Sequence, residues 1–74
     1  MLRSVELPED SAWEGRESAV AIGDRVRLMG LIRAGQRLSA AQAGALKARD
    51  LLILTGRNED LEEAEIRLLE GPSS

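Results

Sequence analysis

The sequence feature that most constrains the fold of this chain is its near lack of aromatic side chains. Trp13 is the only ring, because the 74 residues include no Phe and no Tyr. A hydrophobic core must therefore be built from Leu, Ile, Val and Ala. Since β-strands draw on aromatic and β-branched residues, this composition favours interdigitated helices over a sheet. We therefore expect an all-α fold.

The first helix is expected to follow a short N-terminal arm. Residues 1–10 are predicted to be flexible and extended, because Pro8 disfavours a helical conformation at the residue before it. Ser11 and Glu14 then have the spacing of a capping box, in which the two side chains satisfy backbone amides that the first helical turn leaves free. This pattern predicts that a helical domain begins at Ser11.

The segment between residues 19 and 32 has two interpretations. As a helix, it has an apolar stripe through Ile22, Val26 and Met29. Interior glycines weaken this interpretation, since each costs about 1 kcal/mol relative to Ala in a helix. The alternative is a β-hairpin at about residues 19–32, turning at Gly23 and followed by two helices, which would make the fold α+β.

Two capped helices are predicted in the second half of the chain. A capping box at Ser39–Gln42 predicts a helix over residues 39–54. A further helix is expected over residues 58–70, because acidic residues favour its first turn and Gly71-Pro72 stops it. One continuous helix over residues 39–70 is the alternative.

These elements predict a two- or three-helix hairpin or bundle in residues 11–71, with a tail at 72–74. Such a small domain has a thin core and usually needs a further means of stabilisation. The chain has no Cys and no His, which excludes disulfides and the usual zinc ligands. Association with a second copy remains, so we expect a homodimer.

Charge is arranged in three blocks along the sequence. Residues 1–24 contain six acids and two bases, residues 25–57 seven bases and one acid, and residues 58–74 six acids and one base. In an antiparallel bundle the basic middle would lie beside the acidic ends, within one chain or across a dimer. Surface ion pairs of this kind select topology and partner more than they add stability.

Catalysis is not expected of this chain. It has no His, Cys or Tyr to act as a general acid or base at neutral pH. The carboxylates between residues 59 and 65 lack the order of a calcium-binding loop and fit a solvated helix face. We therefore predict that the protein is not an enzyme and holds no cofactor and no metal.

The composition and charge instead predict a small protein–protein interaction module, such as an adaptor, inhibitor, secretion chaperone or assembly subunit. It would bind its partner through the Arg-rich middle and aliphatic helix faces. No signal peptide or membrane span is evident, so a cytoplasmic location is expected. The candidate partner-binding residues combine Arg side chains with apolar anchors: Trp13, Arg25, Arg27, Leu28, Arg33 and Arg37.

Two alternative functions accompany this hypothesis, and the role of Trp13 also has two interpretations. Trp13 could be an interface anchor, where Trp is enriched, or a lid over the thin core. The segment from Leu31 to Leu54 has the outline of a helix-turn-helix, which would suit a small DNA-binding regulator. The acidic flanks disfavour nucleic acid, because phosphate contacts dominate such binding. Block charges would also allow head-to-tail pairing in a filament or structural subunit.

Overall fold

In the computed structural model, which describes residues 1–72, a four-stranded antiparallel sheet takes the place of the expected helical bundle. The all-α prediction is therefore wrong, and the fold is α+β. The strands are β1 (Leu2–Glu6), β2 (Arg27–Arg33), β3 (Gln36–Leu38) and β4 (Leu51–Thr55). The helices within the described residues are α1 (Ser18–Ile22), α2 (Ala40–Ala43) and α3 (Asn58–Glu70).

Strand β4 lies inside the sheet, whose order is β1-β4-β2-β3. It begins with the apolar run Leu51–Leu54, which the sequence prediction places at the end of the helix that starts at Ser39. A short apolar run bounded by turn residues fits a buried strand as well as a helix. Here antiparallel pairing with β1 and β2 decides between them, and Leu52 and Leu54 are fully buried.

Strands β2 and β3 form a tight hairpin. The pairing of Arg33 with Gln36 leaves Ala34 and Gly35 as a two-residue turn. Their φ angles are 52° and 77°, and a type I′ turn requires positive φ at both positions. The left-handed conformation is open to Gly35 but strained for Ala34.

The predictions for the first third of the chain are wrong in detail. The arm at residues 1–10 contains β1, which pairs along its whole length with β4. No helix begins at Ser11, and the Glu14 carboxylate instead accepts a hydrogen bond of 3.1 Å from the Ala48 amide. Neither interpretation of residues 19–32 is correct: the helix ends at Ile22, so Val26 and Met29 do not continue its stripe, and the alternative hairpin is absent because its first arm is α1 and β2 pairs with β3 and β4.

The second half agrees better with the sequence. The capping box at Ser39–Gln42 is confirmed by hydrogen bonds of 3.0 and 3.2 Å, although α2 ends after four residues. The helix at residues 58–70 is confirmed and ends at Gly71, as expected. The continuous helix over residues 39–70 is wrong because β4 interrupts it. The helix-turn-helix outline from 31 to 54 is also wrong, because its first part belongs to β2 and β3 and α2 ends at Ala43.

The hydrophobic core lies on one side of the sheet, between the strands and the helices. It is aliphatic, as the composition requires, apart from Trp13. Leu61, Ala64 and Leu68 of α3 pack into this core. Trp13 is 3% exposed, and its Nε1 donates a hydrogen bond of 2.9 Å to the Arg67 carbonyl. None of the helices in residues 1–72 combines the length and apolarity needed to cross a membrane.

The strained turn provides a test of the hairpin. Replacing Ala34 by Asn should raise the free energy of unfolding by about 1 kcal/mol, because Asn tolerates the left-handed conformation and Asn-Gly suits a type I′ turn. Urea denaturation followed by circular dichroism measures the change. Ala41→Asn, on the exposed surface of α2, is the control and should lower stability slightly. Equal effects of the two substitutions would contradict the turn assignment.

Candidate protein-binding face of the sheet

The sheet has a second face, turned away from the helices, which we term the outer face. Directly opposite residues of an antiparallel pair point to the same side, and the side alternates along each strand. The row of Val5, Leu52 and Leu31 lies on the helix side, since all three belong to the core. The alternate residues of each strand form the outer face: Leu2, Ser4, Glu6, Arg27, Met29, Gly30, Ile32, Arg37, Leu51, Ile53 and Thr55.

All three helices lie on the opposite side. Helix α3 is joined to β1 by an ion pair of 2.8 Å between Arg3 and Glu65. Ala21 of α1 and Ala43 of α2 belong to the same core cluster as Leu52. No element formed by residues 1–72 therefore covers the outer face.

The centre of the outer face is aliphatic. An antiparallel sheet with one face in water normally alternates apolar and polar residues along each strand. Strand β4 does not, because Leu51 and Ile53 stand on the outer face. Ile32 lies beside Leu51 in the next strand, and Met29 shares the position opposite Ile53 with Gly30 through a β-bulge. The side chains therefore suit a buried layer better than a solvated one.

Charged residues stand at the margins of this face. Glu6 lies on the edge strand β1 and Arg37 on the opposite edge strand β3. The register places them in one row, in the order Glu6, Leu51, Ile32 and Arg37. Arg27 stands near the other end of β2, beside Thr55. An apolar strip is thus bounded by an acid at one edge and a base at the other.

A buried ion pair stabilises the end of the sheet next to this row. Asp50 is fully buried, and its carboxylate accepts hydrogen bonds of 2.9 and 2.7 Å from the Arg33 guanidinium. It also accepts one of 2.9 Å from the Lys47 amide. The same guanidinium donates to the carbonyls of Ala43 and Ala45, both at 3.1 Å. The hydrogen bond with Asp50 raises the pKa of Arg33, so this cation is part of the fold.

The structure separates the six candidate partner-binding residues. Trp13 is in the core, Leu28 packs against the core from the helix side, and Arg33 forms the buried ion pair. Arg25 is exposed in the segment before β2. Only two of the six candidates stand on the outer face, and both are exposed: Arg27 and Arg37.

The sequence prediction missed the apolar centre of the face and its acid. Met29, Ile32 and Ile53 were interpreted as parts of helices, and Glu6 as part of a flexible arm. The available signal was the run Leu51–Leu54, which has the length of a strand. Its aliphatic residues are consecutive, which indicates a strand with both faces apolar.

A polar cleft of about 320 Å³ lies between the segment before β2 and helix α3. Its charged residues are of both signs, so the cleft has no clear preference for an anion or a cation. No group of three or more acidic side chains in residues 1–72 is placed to hold a metal ion. The charged residues lining the cleft are Asp24, Arg25, Asp60, Glu63 and Arg67.

Comparison with known proteins supports the fold assignment. No family model matches the chain, and no curated protein matches it. Among solved structures, the chain is similar to one described as an RCK domain with cda. The sequences are 21% identical, the TM-score is 0.73, and the match covers 90% of this chain and 96% of the other. At this identity, the similarity shows that the two chains share a fold.

The buried ion pair can be tested by substitution. Asp50→Asn should lower the free energy of unfolding by about 3 kcal/mol, because it leaves the Arg33 cation without a counter-charge in a largely buried site. Arg49→Ala is the matched control, since its ion pair with Glu9 is exposed and such pairs contribute about 0.5 kcal/mol. Denaturant titration measures both. Similar losses in the two variants would show that the buried pair has no special role.

Proposed function

We propose that the protein is an interaction module that binds a partner protein through the outer face of its sheet. The observation that supports this is the composition of β4, which is aliphatic on both of its faces. From the sequence alone, binding is predicted at aliphatic helix faces and the Arg-rich middle. The aliphatic surface proposed here for binding belongs to the sheet instead, and Arg27 and Arg37 are the basic residues beside it.

The free energy available from covering this face is substantial for so small a domain. Leu2 and Met29 are 69% and 52% exposed, so they would lose the most contact with water. Burying a side chain of this size contributes about 1.5–3 kcal/mol. Association itself costs several kcal/mol in lost freedom of motion. A partner must therefore cover the whole apolar centre, which favours a flat apolar surface over a single inserted side chain.

The face also explains how binding could be selective. Hydrophobic burial is non-directional, so it does not choose an orientation. Charges at the margin of an interface do so, because a like charge placed opposite them costs free energy. A suitable partner has an apolar centre with a base opposite Glu6 and an acid opposite Arg37. A cytoplasmic location remains a prediction from the sequence.

Substitution of the central residue of the face tests the proposal. Ile53→Glu should weaken binding of any partner protein at least tenfold, about 1.4 kcal/mol, because a carboxylate would be buried without a counter-charge. Isothermal calorimetry with each protein recovered on the immobilised chain gives the affinities. Ile66→Glu on the exposed side of α3 is the matched control and should leave them within twofold.

Circular dichroism must show that both variants keep the wild-type fold. A partner that binds the Ile53→Glu and Leu51→Glu variants as tightly as the wild type would contradict the proposal. Loss of binding with Ile66→Glu alone would place the site on α3.

A second candidate function is small-molecule binding, favoured by the similarity to an RCK domain whose structure includes cda. The polar cleft beside α3 is one concave site among residues 1–72 that such a ligand could enter, with Arg25 exposed at its margin. A ligand that binds the folded state raises the melting temperature by mass action. This candidate is tested separately from the protein-binding function.

If cda binds this chain in the cleft, adding it should raise the melting temperature, with about 2.7 kcal/mol of added stability at a hundredfold excess over Kd. Differential scanning fluorimetry measures the shift. Arg25→Ala should reduce it, whereas Arg49→Ala, away from the cleft, should not. An unchanged melting temperature at millimolar cda would exclude this function.

A further inference from the structure

We propose that the outer face binds a second copy of this chain, in a closed dimer whose two-fold axis runs parallel to the strands, between β4 and β2. This rests on the proposed function, because it names the occupant of the same face. It follows from the order of charged and apolar residues across the sheet.

The symmetry of such a dimer determines which strands meet. A two-fold axis in the plane of the interface and parallel to the strands exchanges the left and right edges of the sheet. Each residue keeps the same position along the strand direction in both chains. With the strand order β1-β4-β2-β3, strand β1 of one chain then lies over β3 of the partner, and β4 over β2. Such an interface uses the same surface of both chains and is closed.

This arrangement matches charges as well as apolar groups. In this dimer the row Glu6, Leu51, Ile32, Arg37 of one chain packs against the same row of the partner, which runs in the opposite direction across the sheet. Glu6 then meets the partner's Arg37 at one edge, and Arg37 meets the partner's Glu6 at the other. Between these two ion pairs, Leu51 of each chain faces Ile32 of its partner. Sheets pack about 10 Å apart, a gap that a long Glu and Arg can bridge together at its margin.

The middle row adds apolar contact. Ile53 of β4 is placed over the partner's β2, where Gly30 stands beside Met29 in the bulge. Gly30 is buried, and a Cβ there would lie 3.0 Å from the Leu38 carbonyl, so its backbone packs closely against β3. The exposed Met29 side chain is therefore the group that Ile53 of the partner meets in this row.

The other two-fold arrangement of stacked faces is unfavourable. An axis across the strands exchanges the two ends of each strand and leaves β1 over β1. Glu6 would then lie over Leu2, and Arg27 over Ile32, so these two charges would be covered by aliphatic side chains, and Arg37 would have no acid opposite it. Burying an unpaired charge is costly. Of the two axes, only the one parallel to the strands pairs Glu6 with Arg37, and it places Arg27 over the partner's Thr55 hydroxyl.

The size of the face sets the expected affinity. Strands about 4.8 Å apart and about five residues long give a face of about 20 Å by 17 Å at most, since β3 has only three residues, and this is below the usual size of a stable protein interface. We therefore expect a reversible dimer that forms at high protein concentration. Sedimentation equilibrium over about 10 µM to 1 mM covers the range of such an affinity.

Charge reversal tests both the dimer and its axis. Glu6→Arg and Arg37→Glu should each raise the dimer Kd about tenfold, because each places like charges opposite one another twice in the dimer. The double variant Glu6→Arg/Arg37→Glu should return Kd to within threefold of the wild type. Arg25→Glu changes charge by the same amount away from the outer face and should leave Kd unchanged.

The outcomes separate this inference from the proposed function. Recovery of the dimer in the double variant supports the pairing across the axis. A dimer that neither single reversal weakens overturns the axis, and growth beyond a dimer overturns the closed arrangement. A wild-type chain that stays monomeric at 1 mM overturns self-association. In that case, loss of another protein's binding in Ile53→Glu would still support the proposed function.

Discussion

Strand β4 pairs with β1 on one side and β2 on the other and has aliphatic side chains on both faces. The sheet and the core both depend on it. Its inner residues, Leu52 and Leu54, are covered by α3 and the turn-rich segment that contains Trp13. Its outer residues, Leu51 and Ile53, have no such cover within residues 1–72. Because side chains alternate along a strand, a shift of register by one residue would exchange these two sets. Both sets are aliphatic, so the hydrophobic pattern of β4 by itself specifies the register only weakly.

The buried ion pair supplies the specificity that this pattern lacks. Asp50 immediately precedes β4 and Arg33 ends β2, so their hydrogen bonds align the ends of two paired strands. A shift of β4 against β2 would leave a fully buried carboxylate without its cation, which is strongly unfavourable. The carbonyls of Ala43 and Ala45 accept from the same guanidinium, so the segment after α2 is held against the sheet as well. A single Arg thus connects three parts of the fold.

The sequence predicts the local structure of this chain better than its fold. The capping box at Ser39–Gln42 and the helix at residues 58–70 depend on neighbouring residues, and both are present. The sheet depends on pairing between residues far apart, such as Val5 with Leu52, which no local pattern reveals. Low aromatic content misled the prediction because β-propensity mainly reflects how side chains pack in a sheet, and Leu packs adequately between strands here. The outer face could not be found before the strands were known, although the apolar run in β4 was visible.

The edges of the sheet favour stacking of faces over extension of the sheet. Strands β1 and β3 are outermost, and an exposed edge strand can recruit a strand from another molecule. Strand β3 has three residues and includes Arg37, while β1 includes Arg3 and Glu6, and short or charged edges resist such pairing. Pairing at both edges, β1 with β1 and β3 with β3, would extend the sheet into a filament, whereas stacking two outer faces uses up the apolar surface in one step. The same two charged residues, Glu6 and Arg37, thus disfavour growth at the edges, and in the proposed dimer they would orient the stacked faces.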